Sequence, residues 1–256
     1  MVAVNCLVSR FRPDGAPPLV LIHGVGDTCD VWRSVIPFLP DDRTIVSYDL
    51  RGHGGSPAPS GPYTIDDFVD DHEALMALLD LRNVDLVGYS LGGLVAEAVA
   101  LRSPESVRRL VVIAAVAGRT AEDRQRVQSR LAEVECHGPT ELARRSVDRW
   151  FSPEYQAANP GIATRTIDNM ARLDRNAYTA AYRVLATTDL ADRLGELPHP
   201  VLAIAGEHDI GSPPRMAQLV ADSVPNGRCV VVAGMKHALL DEAPERIAKE
   251  VSQFVQ

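Results

Sequence analysis

Short apolar runs alternate with longer stretches of helical spacing along most of the chain. Leu19-Val-Leu-Ile22, Thr44-Ile-Val-Ser-Tyr48, Val84-Asp-Leu-Val87, residues 107–116, Val201-Leu-Ala-Ile-Ala205 and Cys229-Val-Val-Val232 are brief and rich in leucine or β-branched residues. Runs of this kind predict strands of a parallel sheet buried on both faces. Residues 2–11 have the alternating character of the first strands and end at the turn signal Pro13-Asp14-Gly15. Helical segments lie between the runs. Asp30 is placed to cap a helix carrying Val31, Trp32, Val35, Ile36 and Phe38. Thr64-Ile-Asp-Asp67 reads as a capping box, opening a helix with Phe68, His72, Leu75, Leu78 and Leu79 on its faces. Further helices are expected from Leu91 to Arg102, after Pro213-Pro214, and over 244–255, with Asp241 and Glu242 at the start of the last.

From about Arg119 the alternation stops. Helices are expected from Thr120, from Thr140 to near Trp150, over 162–173 and over 176–185, closing near Leu194. With no Pro/Gly/Ser-rich linker, this block reads as docked on the sheet. The division expected is a core of residues 1–118 and 195–256, with a helical cap at 119–194 inserted between two strands. Strand–helix alternation implies a mostly parallel central sheet with helices on both faces, an α/β fold.

Composition narrows the options. At 256 residues, 46% hydrophobic and 23% charged, the chain is an ordinary globular one. A net charge of −8 argues against nucleic acid or an anionic membrane as the main partner. The first ten residues lack a basic start, a long apolar core and a cleavage site, so neither signal peptide nor membrane span is expected and the location inferred is cytoplasmic. Cys6, Cys29, Cys136 and Cys229 are scattered, which suits reduced thiols. The seven histidines show no metal-ligand spacing, so no metal site is expected.

The candidate chemistry begins at Gly88-Tyr89-Ser90-Leu91-Gly92, where a strand meets a helix through a turn that only small neighbours allow. Ligands of open parallel sheets bind beyond the carboxyl ends of the strands. His23-Gly24, Asp49, Ser90, Asp209 and His237 each follow an expected strand. A serine hydroxyl needs a base to take its proton, and the base needs an acid to orient it. Ser90, His237 and Asp209 fill those roles, Asp209 being preferred to Glu207 because it lies beyond the strand end and before Pro213. The backbone N–H groups of Val25 and Leu91 are placed to hold an oxyanion.

The other candidates have plainer readings. His72 reads as a helix-face residue, and His137 and His199 as loop residues. His208 should point away from its neighbour Asp209. Trp32 reads as core, and Cys29 as unreactive beside a serine at the turn. Gly24 and Trp150 are substrate-binding candidates, though Trp150 could equally pack the cap on the sheet. Arg130, Arg144, Arg145 and Arg165 in the cap suit either an acidic substrate or solvated helix faces.

His23-Gly24, Asp49-Leu-Arg-Gly-His-Gly-Gly-Ser56, Gly88-Tyr-Ser-Leu-Gly-Gly93, Gly206-Glu-His-Asp209 with Pro213, and His237 together resemble the α/β-hydrolase superfamily across nearly the whole chain. Arg149-Trp-Phe-Ser-Pro153, Thr188-Asp189-Leu190 and the position of the cap are similar to 3-oxoadipate enol-lactonases. Those enzymes tend to have a serine/asparagine sequence in the first oxyanion loop, where this chain has His23-Gly24. The lactonase-like class therefore carries over better than the particular substrate. The resemblance implies a serine hydrolase that cleaves a small carboxylic ester or lactone through an acyl-enzyme, without a cofactor. It also implies that His23 and His53 bond loops together and that Arg51 serves its motif structurally. The alternative on the same triad is a carbon–carbon bond hydrolase or a menaquinone-pathway-type lyase. A non-catalytic small-molecule receptor is the alternative of another class. Nothing in the sequence sets the oligomeric state.

Overall fold

The computed structural model describes residues 3–256. Strand character expected from Val2 thus begins outside the described residues. Seven strands form one sheet: β1 (Cys6–Arg10), β2 (Ala16–Ile22), β3 (Arg43–Tyr48), β4 (Val84–Tyr89), β5 (Val107–Ile113), β6 (Pro200–Gly206) and β7 (Asn226–Val232). Their order is β1-β3-β2-β4-β5-β6-β7. Every neighbouring pair is parallel except β1, which runs antiparallel to β3.

The helices are α1 (Ile65–Leu78), α2 (Leu91–Arg102), α3 (Ala121–His137), α4 (Pro139–Trp150), α5 (Pro153–Ala158), α6 (Ile162–Ala171), α7 (Arg175–Thr187), α8 (Pro214–Ser223), α9 (Leu239–Glu242) and α10 (Pro244–Phe254). Both faces of the sheet are covered. Along β2, Leu19 and Leu21 pack with Trp32, Val35, Ile247 and Val251 on one side. Val20 and Ile22 pack with Phe68, Leu75, Leu94 and Val99 on the other. Side chains that alternate between two apolar layers explain why the strands read as continuous apolar runs. Helix α2 has no polar face and is buried from Leu91 to Ala100. It lies at the centre of the core.

Local chemistry sets the details. Thr64 and Asp67 form the expected capping box of α1, and Thr120 with Asp123 forms another at α3. The helix expected from Asp30 is instead two 3-10 turns, Cys29–Ser34 and Ile36–Phe38, with Thr28 as the first cap. Pro37 removes a backbone donor there and disfavours helical geometry at Ile36. The strand expected to reach Val116 ends at Ile113, because Ala114 turns to φ 50°. Helix α4 starts at Pro139, one residue before Thr140, after Gly138 at φ 82°. His137 is the last residue of α3 and lies in no loop. Asp241 and Glu242 do not begin the last helix. They belong to α9, which Pro244 separates from α10.

Helices α3 to α7 occupy the connection between β5 and β6 and gather a cluster of their own around Val127, Leu131, Val134, Leu142, Met170, Tyr178 and Tyr182. The block rests on the loops that leave the strand ends. Met170 and Tyr178 press on Gly26, Ala177 presses on Gly52, and the Ala238 N–H donates to the Trp150 carbonyl at 3.0 Å. Among the described residues, no helix is long and apolar enough to cross a membrane. All four cysteines are free thiols.

Candidate active site

Ser90 stands between β4 and α2 at φ 54°, ψ −116°. Such a conformation costs an ordinary residue about 1–3 kcal/mol and persists only where the surroundings enforce it. Here the glycines enforce it. A Cβ on Gly88 would fall on the Gly92 carbonyl, and one on Gly92 on the carbonyls of Ile22 and His23. The Ser90 amide donates to Ile113 O at 2.8 Å, which fixes the turn to β5.

His237 reaches the serine from the loop after β7. That loop crosses the end of β6 so closely that a Cβ on Gly206 would fall on the Lys236 carbonyl. His237 Nε2 lies 3.2 Å from Ser90 Oγ, and its Nδ1 lies 2.6 Å from Asp209 Oδ2. Tyr89 supports the loop from below, its hydroxyl donating to the His237 carbonyl at 3.1 Å. The second oxygen of Asp209 accepts from the amides of Gly211 at 2.8 Å and Ser212 at 3.0 Å. Burial pushes the Asp209 acid upward, but the adjacent imidazole and these two amides outweigh it and hold the carboxyl below the usual range. Asp209 therefore stays ionised and keeps the proton of His237 on Nδ1, leaving Nε2 to accept from Ser90.

The structure thus brings Ser90, His237 and Asp209 into one hydrogen-bonded series. Glu207, the rejected alternative, accepts from the Gly234 amide instead, and His208 is largely exposed. Val25 lines the cavity above Ser90. No hydrogen bond among the described residues uses the Val25 amide, and the Leu91 amide opens α2, where no helical acceptor exists. Gly24 is buried directly against Ser90, its absent side chain leaving room for the serine, while Val25 and Gly26 form the cavity wall. Trp150 lines the cavity and also packs among the apolar residues of the helical block.

Two histidines hold this floor. His23 Nε2 accepts from the Leu50 amide at 2.9 Å, and His53 Nε2 accepts from the Gly26 amide at 3.1 Å. Burial keeps both imidazoles in the neutral form that can accept, with His23 pushed down to about 3. His72 is buried on α1 against the Tyr48 hydroxyl, and His199 bonds the Pro104 carbonyl. Asp49, although it follows a strand, accepts from Asn5, Cys29 and Gly55 and ties three loops together. Arg51 pairs with Asp67 and Asp71. Trp32 is fully buried, and burial pushes the Cys29 thiol up to about 12, which keeps it inert.

A cavity of about 820 Å³ lies between floor and helical block. Its polar wall includes Arg130, Arg149 and Arg165, and its apolar wall includes Trp150, Met170 and Tyr178. Arg144 and Arg145 pair instead with Glu141 on the surface. Arg130 Nε is buried without a partner. Burial and the charge of Arg130 both push the Arg149 guanidinium down from its usual value. These two cations share one side of the cavity, and neither has a carboxylate partner among the described ion pairs. Among the described residues, no three metal-ligating side chains come together.

The model of the alpha/beta hydrolase fold family matches residues 17–244, and the chain belongs to this family. It is 32% identical over 208 residues to 3-oxoadipate enol-lactonase 2 of Acinetobacter baylyi, covering 81% of this chain and 76% of that one. It is 30% identical over 255 residues to (E)-2-((N-methylformamido)methylene)succinate hydrolase of the same organism, covering 98% and 95%. The solved enol-lactonase from Burkholderia xenovorans LB400 is similar with a TM-score of 0.91 at 26% identity, covering 98% of this chain and 96% of that one. The resemblance to enol-lactonases read from the sequence is borne out.

Proposed function

We propose that the chain is a serine hydrolase that cleaves a small, carboxylate-bearing ester or lactone through an acyl-enzyme. The observation that carries this reading is the relay from Ser90 Oγ through His237 to Asp209, at 3.2 and 2.6 Å, with the serine in its strained turn. In this mechanism His237 Nε2 takes the hydroxyl proton as Ser90 Oγ bonds to the carbonyl carbon. The Val25 and Leu91 amides hold the oxyanion. Collapse breaks the carbon–oxygen bond to the leaving group, which receives the proton from His237. A water that gives its proton to His237 then releases the acid and restores Ser90.

Residues 119–194 act as a cap that supplies the substrate pocket, with Trp150 as one wall. Arg130 and Arg149 support the choice of a carboxylate. Two half-buried guanidinium groups without a carboxylate beside them, one with its Nε unpartnered, are costly, and a bound anion would offset that cost. Both Acinetobacter relatives are named for derivatives of dicarboxylic acids, adipate and succinate.

Replacement of Ser90 by Ala is expected to lower kcat by about three to six orders of magnitude and to abolish labelling by a fluorophosphonate. Unchanged turnover would sink the serine mechanism. A panel of carboxylate-bearing lactones, p-nitrophenyl esters and vinylogous diketones tests the bond, with turnover expected for the first two. Turnover of the diketones alone would reassign the chain to carbon–carbon hydrolysis.

A further inference from the structure

The loop that carries Val25 continues to an acidic residue the relay does not use. Residues 24–27 close as a tight turn, the Asp27 amide donating to the Gly24 carbonyl at 3.2 Å, with Gly26 at φ 88°. The turn folds the Asp27 carboxyl back over Gly24. A Cβ built on Gly24 would lie 3.0 Å from Asp27 Oδ2 and 3.1 Å from Ser90 Cβ, so the acid and the serine flank the same point. Asp27 lines the cavity together with Ser90 and His237. Among the described residues, no hydrogen-bond donor and no cation meets its carboxyl.

The groups that face Asp27 are Asp241 from α9, Tyr89 from β4 and Tyr178 from α7. Asp241 is itself beside Glu242 and faces Arg165 from α6. Burial and the charge of Asp241 push the Asp27 acid up to about 8. Burial and the charge of Glu242 push Asp241 up to about 6.

We propose that Asp27 works as a neutral carboxylic acid beside the oxyanion site, donating a hydrogen bond to an oxygen of the substrate's ester or lactone group, and that its ionisation turns the site off. The inference rests on the serine-hydrolase reading. As an acid, the side chain has an O–H to donate. Ionised, it can only accept, and it sets a negative charge beside the point where attack by Ser90 creates another. At a separation of about 6 Å in a partly screened site, such repulsion is worth roughly 10- to 100-fold in rate. The proton remains on Asp27 throughout the reaction.

The test is the pH dependence of kcat/KM for p-nitrophenyl butyrate, from about pH 5 to about pH 10, on the full chain. The wild type is expected to lose about 10- to 100-fold through a step near 8. D27N, whose amide still donates, should lose that step and should exceed D27L by about tenfold below it. D241N should move the step to lower pH, because it removes the charge that holds the Asp27 proton. A wild type without the step, a D27N variant that keeps it, or a D241N variant that leaves it in place would overturn the proposal. If D27N fails to fold, the wild-type and D241N profiles decide. Fluorophosphonate labelling and S90A separate the two readings. An active S90A defeats the serine mechanism, whereas an inactive S90A with a profile indifferent to Asp27 defeats only this inference.

Discussion

The floor and the roof of the cavity are built on opposite terms. In the floor, each oxygen of Asp209 has a partner, both His237 nitrogens are engaged, and glycines at 88, 92 and 206 let backbones pass where no Cβ fits. In the roof, Arg130 and Arg149 face the cavity without carboxylates, and Arg165 is exposed. Satisfied groups hold one geometry, whereas cations without a counter-charge leave the roof open to an anion. In the proposed function the floor specifies how a bond is attacked, and the roof specifies what is admitted.

That contrast can be broken at either side. Gly206→Ala puts a Cβ on the Lys236 carbonyl and displaces the His237 loop, so kcat should fall about 100-fold or more while KM changes little. Steady-state kinetics on a reactive ester checks this, and a rise in KM alone would mean that the floor also binds. In the roof the split reverses. Arg130→Met or Arg149→Met should raise KM for a carboxylate-bearing ester by about 10- to 100-fold, yet leave hydrolysis of p-nitrophenyl acetate within about threefold. Equal losses on both substrates would refute a binding role for these cations.

A third change reaches the core that supports both parts. Glu97 is fully buried on α2 with both carboxyl oxygens unpartnered. Burial and the charge of Asp189 raise its pKa well above the usual value. A carboxyl raised in the folded state favours folding only where the unfolded chain is also protonated, and that contribution is lost as pH rises toward the folded pKa. Glu97→Met should therefore stabilise the chain by about 1–3 kcal/mol at neutral pH, with the gain shrinking below about pH 4. Thermal melts across pH would show it, and a gain independent of pH would contradict the assignment. The smallest effect is expected at the seam. Ser152 donates from its amide to Glu242 Oε1 at 2.9 Å and from its hydroxyl to Oε2. Ser152→Ala removes the second bond together with the cap on the Tyr155 amide and should lower Tm by about 2–4 °C.

The same division explains what could be read from the chain. Floor geometry was legible because a tight backbone turn demands glycine at fixed offsets, and the strands that aim it are continuous apolar runs. Ser90, Asp209 and His237 follow from those local signals. Roof function was not legible residue by residue, since Arg130, Arg144, Arg145 and Arg165 are equivalent as charges on helices. One signal could have separated them. Arg145 has Glu141 four residues earlier, whereas Arg130 has Arg126 at that spacing. Asp27 had no local signature at all, because its setting depends on Asp241, more than two hundred residues away. The short helix α5 was missed although Ser152-Pro153 is a readable helix start, with Ser152 accepting from the Tyr155 amide.

The seam between roof and floor also bears on how relatives could exchange parts. The Trp150 carbonyl takes the Ala238 amide and Ser152 takes Glu242, so the roof is fastened to the segment that begins at His237. A chimaera that transplants the roof of another family member must bring residues 150–152 and 238–242 as one matched cassette. Grafted without the second segment, a new roof would import its own selectivity and leave the imidazole beneath it out of alignment.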